Sequence, residues 1–320
     1  MEKSRQKYKI KIIFSSPVRI GSPGMDDQNV RQSIGADQFF SWISIGWIKL
    51  FGLEEFENKV LKPFNTGSYQ WIHSDLFPSD NEGVYFPTPA KLPKVEKEED
   101  EIDKKERTKW ITKDGLEKII NGSSLKKGDF KDPIKEVALQ TARTSVFLTE
   151  ESKPFITTAL VSKKENNELS FTGLIDFSDE KIKVDFEKVL GFMKDEGFGA
   201  NRSSGLGQIQ EATLEENKDM VFTYEGDQYL ILSFFYPKDE NELKEISSDK
   251  DCAYTLSTKA GWIYDESGNP TDKRKQKIFL FDSGSVFSKK PTGRLINVGY
   301  KGHESFRYCI PYTIGIKNVS

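Results

Sequence analysis

Residues 184–210, VDFEKVLGFMKDEGFGANRSSGLGQIQ, decide how this chain is read. Phe186, Val189, Leu190 and Met193 recur at the spacing of one helix face, which predicts a helix over 184–197. That helix runs straight into Gly197, Gly199, Gly205 and Gly207, set around Asn201, Arg202, Ser203 and Ser204, after which a strand can begin. Glycines permit positive φ and let backbone N–H groups approach phosphate oxygens with no Cβ in the way, while Arg and Ser add side-chain donors. The segment 197–208 therefore suits a sugar-phosphate backbone wrapped by main-chain amides; the alternative is a flexible turn before an edge strand. A dinucleotide fingerprint needs the reverse order, strand before glycines and helix after, and no GxxxxGK[ST] occurs, so Rossmann and P-loop chemistry are excluded.

Upstream, YKIKIIFSSPVRIG alternates and then bends at Pro17, predicting a half-buried strand, and SPGMDDQNVRQSIG reads as a loop. Ala36, Phe40, Ile43, Trp47, Leu50 and Phe51 predict a helix from Ala36 to Phe51, stopped by Gly52; of its aromatics Phe39, Phe40, Trp42 and Trp47, base-stacking platforms being the alternative, most should be core by spacing. A second short helix from Glu54 to Leu61 should end at Pro63. Four prolines keep SDLFPSDNEGVYFPTPAKLP extended, and KVEKEEDEIDKKER, about 94–107, is too charged to enter a core. TKDGLEKIING reads as a short helix with Thr112 as N-cap and Gly122 past its end. VALQTARTSVFLT and KPFITTALVSK form an expected antiparallel hairpin across Glu150–Lys153, followed by the strand LSFTGLIDFS.

Beyond Gln208 the chain is β-rich, with QYLILSFFYP, CAYTLSTKAGWIY, KIFLFDSGSVF, GRLINVGY and FRYCIPYTIGI as strand candidates and one polar helix in DENELKEISSD. This order is not strictly βαβα, so the expected class is α+β with a mainly antiparallel sheet in each of two lobes, 1–215 and 216–320. A length of 320 residues with 36% hydrophobic side chains supports two real cores. The net charge of −3 argues against a generic nucleic-acid binder, but the charge is polarised: from Thr271 to Ser320 there are ten Lys/Arg against three acids, and from Glu211 to Asp251 twelve acids against four Lys. The basic stretch could meet RNA or an acidic partner; the acidic one suits a protein interface. Cys252 and Cys309 lack any metal-ligand or disulfide spacing and read as packing residues. No apolar run approaches bilayer length and no signal peptide is visible, so a cytoplasmic protein is expected.

GFGANRSSGLGQ, preceded by its helix, resembles the glycine-rich loop of the repeat-associated (RAMP) proteins of CRISPR systems, built from ferredoxin-like, RNA-recognition folds. SDLFPSDNEGVYFPTPAKLP, DGLEKIING, TARTSVFLTEESKPF and FDSGSVF…GRLINVGY are similar to blocks of the Csm-type subunit four of type III-A effectors, or its close relative in Cmr-type complexes. The resemblance implies two ferredoxin-like lobes and a Cas-five-like subunit that caps one end of a filament. It would hold the 5′ repeat-derived tag of the guide RNA and contact the large polymerase-like subunit and the first backbone RAMP subunit. It implies RNA contacts at Asn201, Arg202, Ser203 and Ser204 within the loop defined by Gly197, Gly199, Gly205 and Gly207, and next at Arg143, whose alternative is a surface arginine paired to a carboxylate. No cofactor or metal, no membrane and no homo-oligomer is expected.

The superfamily also contains metal-independent endoribonucleases that use a histidine base. His73 and His303 are the two candidates here, and neither has surrounding residues that mark it as catalytic. Metal-assisted cleavage would need a loop aspartate, for which Asp26, Asp27 and Asp37 are available. Asp37 is explained instead as a helix-start carboxylate accepting backbone N–H groups. The expectation is a binding subunit and not an enzyme, with a purely structural interface protein as a further alternative.

Overall fold

The computed structural model describes residues 5–21, 30–92, 109–141, 155–164, 168–220, 222, 225–264, 270–300 and 302–317. The first lobe is built on strand β1 (Gln6–Phe14), helix α1 (Ala36–Phe51), the short strands β2 (Trp71–His73) and β3 (Phe77–Asp80), and helix α2 (Lys113–Ile120). Strands β4 (Ile134–Thr141), β5 (Phe155–Ser162) and β6 (Leu169–Phe177), helix α3 (Glu180–Glu196) and strand β7 (Ile209–Glu216) follow. β1 pairs antiparallel with β6, from Gln6↔Phe177 to Phe14↔Leu169, and on its other side with β7; β6 in turn takes β2 and β3. Taken with the helices, this is βαββαβ with spatial order β7-β1-β6-β2/β3, the ferredoxin-like arrangement implied by the resemblance.

Alternation explains which face is covered. Ile10, Ile12 and Phe14 of β1 and Phe171, Ile175 and Phe177 of β6 point toward α1 and α3 and form one core with Phe39, Phe40, Ile43, Trp47, Phe186, Val189 and Met193. Phe39, Phe40, Trp42 and Trp47 are all buried, as their helical spacing predicted. The two helices approach closely because position 46 is glycine: a Cβ there would sit 2.4 Å from Met193 Cγ. α3 begins at Glu180, earlier than the periodicity indicated, because Asp179 accepts from the Lys181 and Ile182 amides and opens an extra turn. Thr112 caps α2 from its hydroxyl, as expected.

One boundary is corrected. The helical path after Gly52 does not stop at Pro63 but runs to Asn65. A π turn over Glu57–Leu61 widens the ladder just before the proline, so its ring avoids the preceding carbonyl and its missing N–H falls in the first turn of the resumed helix.

The second lobe has strand β8 (Gln228–Ile231), helix α4 (Glu240–Ser247), and strands β9 (Leu256–Lys259), β10 (Ile278–Phe281) and β11 (Val286–Phe287), then β12 (Arg294–Asn297), β13 (Phe306–Cys309) and β14 (Thr313–Ile316). β8 lies between β14 and β11, β9 pairs with β10, and the bridges Phe235↔Phe281 and Ala253↔Val286 join the pieces. The spatial order is again that of a ferredoxin-like sheet, with the β12–β13 hairpin standing where a second helix would be. A shared core, Phe77, Phe86, Trp110 and Leu174 with Leu230, Leu232, Ile314 and Ile316, packs the lobes face to face. The mixed helix and antiparallel-sheet class read from the sequence is the class observed. Cys252 and Cys309 are free thiols in apolar clusters.

Candidate nucleic-acid interface

The glycine loop leaves α3 at Gly197, whose φ of +68° ends the helix and whose carbonyl accepts from the Trp42 indole at 2.9 Å. It then doubles back on itself: the Phe198 amide donates to Gly207 O at 2.9 Å, and the Gly207 amide to Pro17 O at 2.9 Å. The Ala200 amide donates to Arg19 O at 2.9 Å, so the loop is stapled to the bend after β1. Glycine is required by space as well as by φ. A Cβ on Gly199 would lie 2.5 Å from Arg19 O, and one on Gly207 1.9 Å from Phe198 O.

This overturns part of the sequence reading. The amides of Gly197, Phe198, Ala200, Ser204, Gly205, Leu206, Gly207 and Gln208 all donate within the protein, so they do not wrap a strand. Gly197 and Gly207 are buried and serve shape. The exposed part is the tip. Asn201 takes the left-handed conformation (φ +61°) and is followed by a 3-10 turn over Arg202–Ser204, closed by Gly205 at φ +85°. A left-handed residue followed by right-handed ones makes successive N–H groups converge into an anion-binding hollow. The amides of Asn201, Arg202 and Ser203 meet no acceptor among the described residues, and Arg202, Ser203, Ser204 and Gly205 are exposed. Arg202 spends one donor on the Glu196 carbonyl, at 2.9 Å, at the negative end of α3. Its side chain remains 47% exposed, which leaves donors facing solvent.

Sequence reasoning missed Pro17 and Arg19, which fix the loop, because carbonyl staples leave no mark on residue type. A neighbouring cleft of about 350 Å³ is lined by Ser15, Ser16, Pro17, Ser162, Glu168 and Gln210 among others.

The catalytic candidates fall differently. His73 is fully buried, its ring 4.2 Å from that of Tyr308 and flanked by Phe39 and Phe40, with neither ring nitrogen in a hydrogen bond of good geometry. Burial lowers its pKa to about 3, and no ribose hydroxyl can reach it. His303 sits exposed in the Tyr300–His303 turn. Asp37 is in the first turn of α1, but its carboxylate pairs with Lys259 Nζ at 3.1 Å and with Arg307, not with backbone amides. Burial would raise this acid, yet Lys259, Arg307 and Arg31 outweigh it and hold the group well below the usual carboxylate range. The amide at the start of α1 is taken instead by Asp75, which accepts from Ala36 N at 2.7 Å. Asp26, Asp27, Arg143, the insertion 94–107 and the turn Glu150–Lys153 lie outside the described residues. Among the described residues no cluster of three metal-ligating side chains occurs, and no helix is long and apolar enough to cross a membrane.

A ferredoxin-like lobe whose second helix ends in a stapled glycine turn, packed on a second lobe of the same order, is the arrangement that the resemblance to RAMP proteins implied. Its C-terminal lobe is more particular: residues 224–316 match the family model described as the CRISPR Csm4 C-terminal domain. Over 298 residues, 91% of this chain and 92% of the relative, the sequence is 24% identical to "CRISPR system Cms protein Csm4" of Streptococcus thermophilus. The fold is similar to a chain of the crystal structure of a Csm3–Csm4 subcomplex of the type III-A interference complex, with TM-score 0.58, 16% identity and coverage of 96% and 98% of the two chains. It is also similar to a chain of a Csm1–Csm4 cassette in complex with AMPPNP, with TM-score 0.56, 13% identity and coverage of 97% and 98%. The resemblance to the Csm-type subunit four is thereby borne out.

Proposed function

We propose that this chain is a non-catalytic subunit of a type III-A CRISPR RNA-guided effector, binding the 5′ repeat-derived tag of the guide RNA and working in the cytoplasm. The observation that carries the reading is the tip Asn201–Gly205, where three amides that meet no acceptor among the described residues, the Arg202 guanidinium and the exposed Ser203 and Ser204 stand out from a stapled base. Such a hollow takes a phosphate in a sequence-independent way and so fixes the register of a strand. In this reading Gly197, Gly199 and Gly207 position the tip, while Asn201, Arg202, Ser203, Ser204 and Gly205 touch RNA, with Arg143 as a further contact.

The lobe 1–215 carries the loop, and the lobe 216–320 is the C-terminal unit. The similar structures contain Csm3 and Csm1, which supports a subunit that bridges a backbone RAMP subunit and the large polymerase-like subunit. Titration of the purified chain with guide RNA carrying or lacking the tag tests the reading. Arg202→Ala and Arg143→Ala should each weaken tag-dependent binding by roughly tenfold, the worth of a charge-assisted hydrogen bond. Equal affinity for tagged and untagged RNA, unaffected by either substitution, would point to a purely structural role.

A further inference from the structure

The basic stretch of the second lobe takes no part in the loop, and the structure shows what it is built on. Leu256–Lys259 and Trp262–Tyr264 run antiparallel to Ile278–Phe281 and Pro270–Arg274, so the two strand pairs make one long hairpin that continues the sheet edge outward. Lys259, midway along it between the Thr258–Phe279 and Trp262–Arg274 pairs, is buried and committed to Asp37. On either side of it the character changes. Phe279 is 61% exposed, more than any other large apolar side chain among the described residues, and Leu256, Tyr254 and Trp262 are 55%, 42% and 36% exposed. Leu256, paired with Phe281, lies diagonally from Phe279 on one face, and the Tyr254 ring packs edge-on against Phe281 at 4.9 Å.

Cations are interleaved with these rings. The Arg274 guanidinium lies 4.6 Å from the Trp262 ring centre, and the Lys277 ammonium 5.8 Å from that of Phe279. Lys273, Arg274 and Lys277 are all exposed.

We infer that this hairpin is a second binding surface for single-stranded nucleic acid, independent of the glycine loop and without base preference. An exposed sheet edge usually carries polar side chains, so a solvent-facing Phe279 diagonal to Leu256, on a hairpin that also exposes Tyr254 and Trp262, marks a surface that meets something else. A protein partner would seal the rings in an apolar interface and desolvate Lys277 and Arg274 with them. A nucleic-acid strand satisfies both at once: bases stack on the rings while phosphates meet the cations above them.

Fluorescence anisotropy of the full chain with a labelled oligouridylate of about a dozen nucleotides tests this. Phe279→Ala should weaken binding by about tenfold, the loss of one stacked base. Lys273→Gln with Lys277→Gln should reduce the slope of log affinity against log salt by about 0.7 for each phosphate that is no longer neutralised. The loss on Phe279→Ala should be the same in an Arg202→Ala background, because the two surfaces are independent. Should Phe279→Ala impair folding, the lysine pair, both at the surface, reads the same slope, and a 4-thiouridine probe should crosslink within 270–281. An unchanged salt slope, or crosslinks confined to other segments, overturns the inference. Binding of polyglutamate as tightly as RNA with no dependence on Phe279 overturns it in favour of an acidic protein partner.

Discussion

Lys259, on the edge of the second lobe, reaches across the molecule to Asp37 in the first turn of α1 and pairs with it at 3.1 Å, both side chains almost fully buried. Arg307, from β13, closes the same carboxylate from the other side, and Arg31 pairs nearby with Asp75 at 2.9 Å and with Asp282 at 3.3 Å. Positions 37 and 259 are 222 residues apart, so this contact ties the two lobes together at the start of the first helix.

Removing only the carboxylate leaves two cations buried without a counter-charge, which is costlier than the pair itself is favourable. Asp37→Asn is expected to lower unfolding stability by about 3–5 kcal/mol, read from denaturant midpoints. An unchanged midpoint would mean that water or a rearrangement already compensates these cations.

His73 makes the fold sensitive to acid. Its folded pKa, about 3, lies below the ordinary 6.5, so between those values the unfolded chain binds a proton that the folded one does not. Stability is therefore complete above about pH 6.5 and declines toward pH 3, at up to about 1.4 kcal/mol per pH unit from this group. His73→Phe keeps a flat ring among Phe39, Phe40 and Tyr308 and should flatten the curve in that window. Parallel curves for the two proteins would rule out His73 as the linked group.

Gly207 and Gly205 separate loop shape from loop surface. Gly207→Ala forces a Cβ into the Phe198 carbonyl at a positive φ and should cost about 2 kcal/mol or more. Gly205→Ala meets nothing within 4 Å and carries only the left-handed penalty of about 1 kcal/mol. Thermal melts of the two variants rank them, and equal losses would contradict the stapled geometry.

The crossing of α1 and α3 rests on the missing side chain at Gly46. Gly46→Ala should destabilise by about 1–3 kcal/mol by overpacking against Met193 and Val189. Adding Met193→Ala opens the same space, so the double variant should lose less than the sum of the singles, a coupling of about 0.5–3 kcal/mol. Additive losses would show that the added methyl is absorbed elsewhere.

Local chemistry was legible in the chain itself. The α1 aromatics, the Thr112 cap, the Gly52 stop and the alternation of β1 and β6 follow from periods of 3.6 and 2, because each depends on neighbours within a few residues. The glycine loop was also visible, as four residues that only a tight, left-handed path requires. Only tertiary structure decided what that loop does with its amides, that Asp37 answers Lys259 and Arg307 instead of its own helix, and that His73 is sealed away. The physical reason is common to all three. Hydrogen-bond partners and burial are set by segments far apart in the chain, and a residue's type states what it can donate or accept but not which distant group will be brought to meet it.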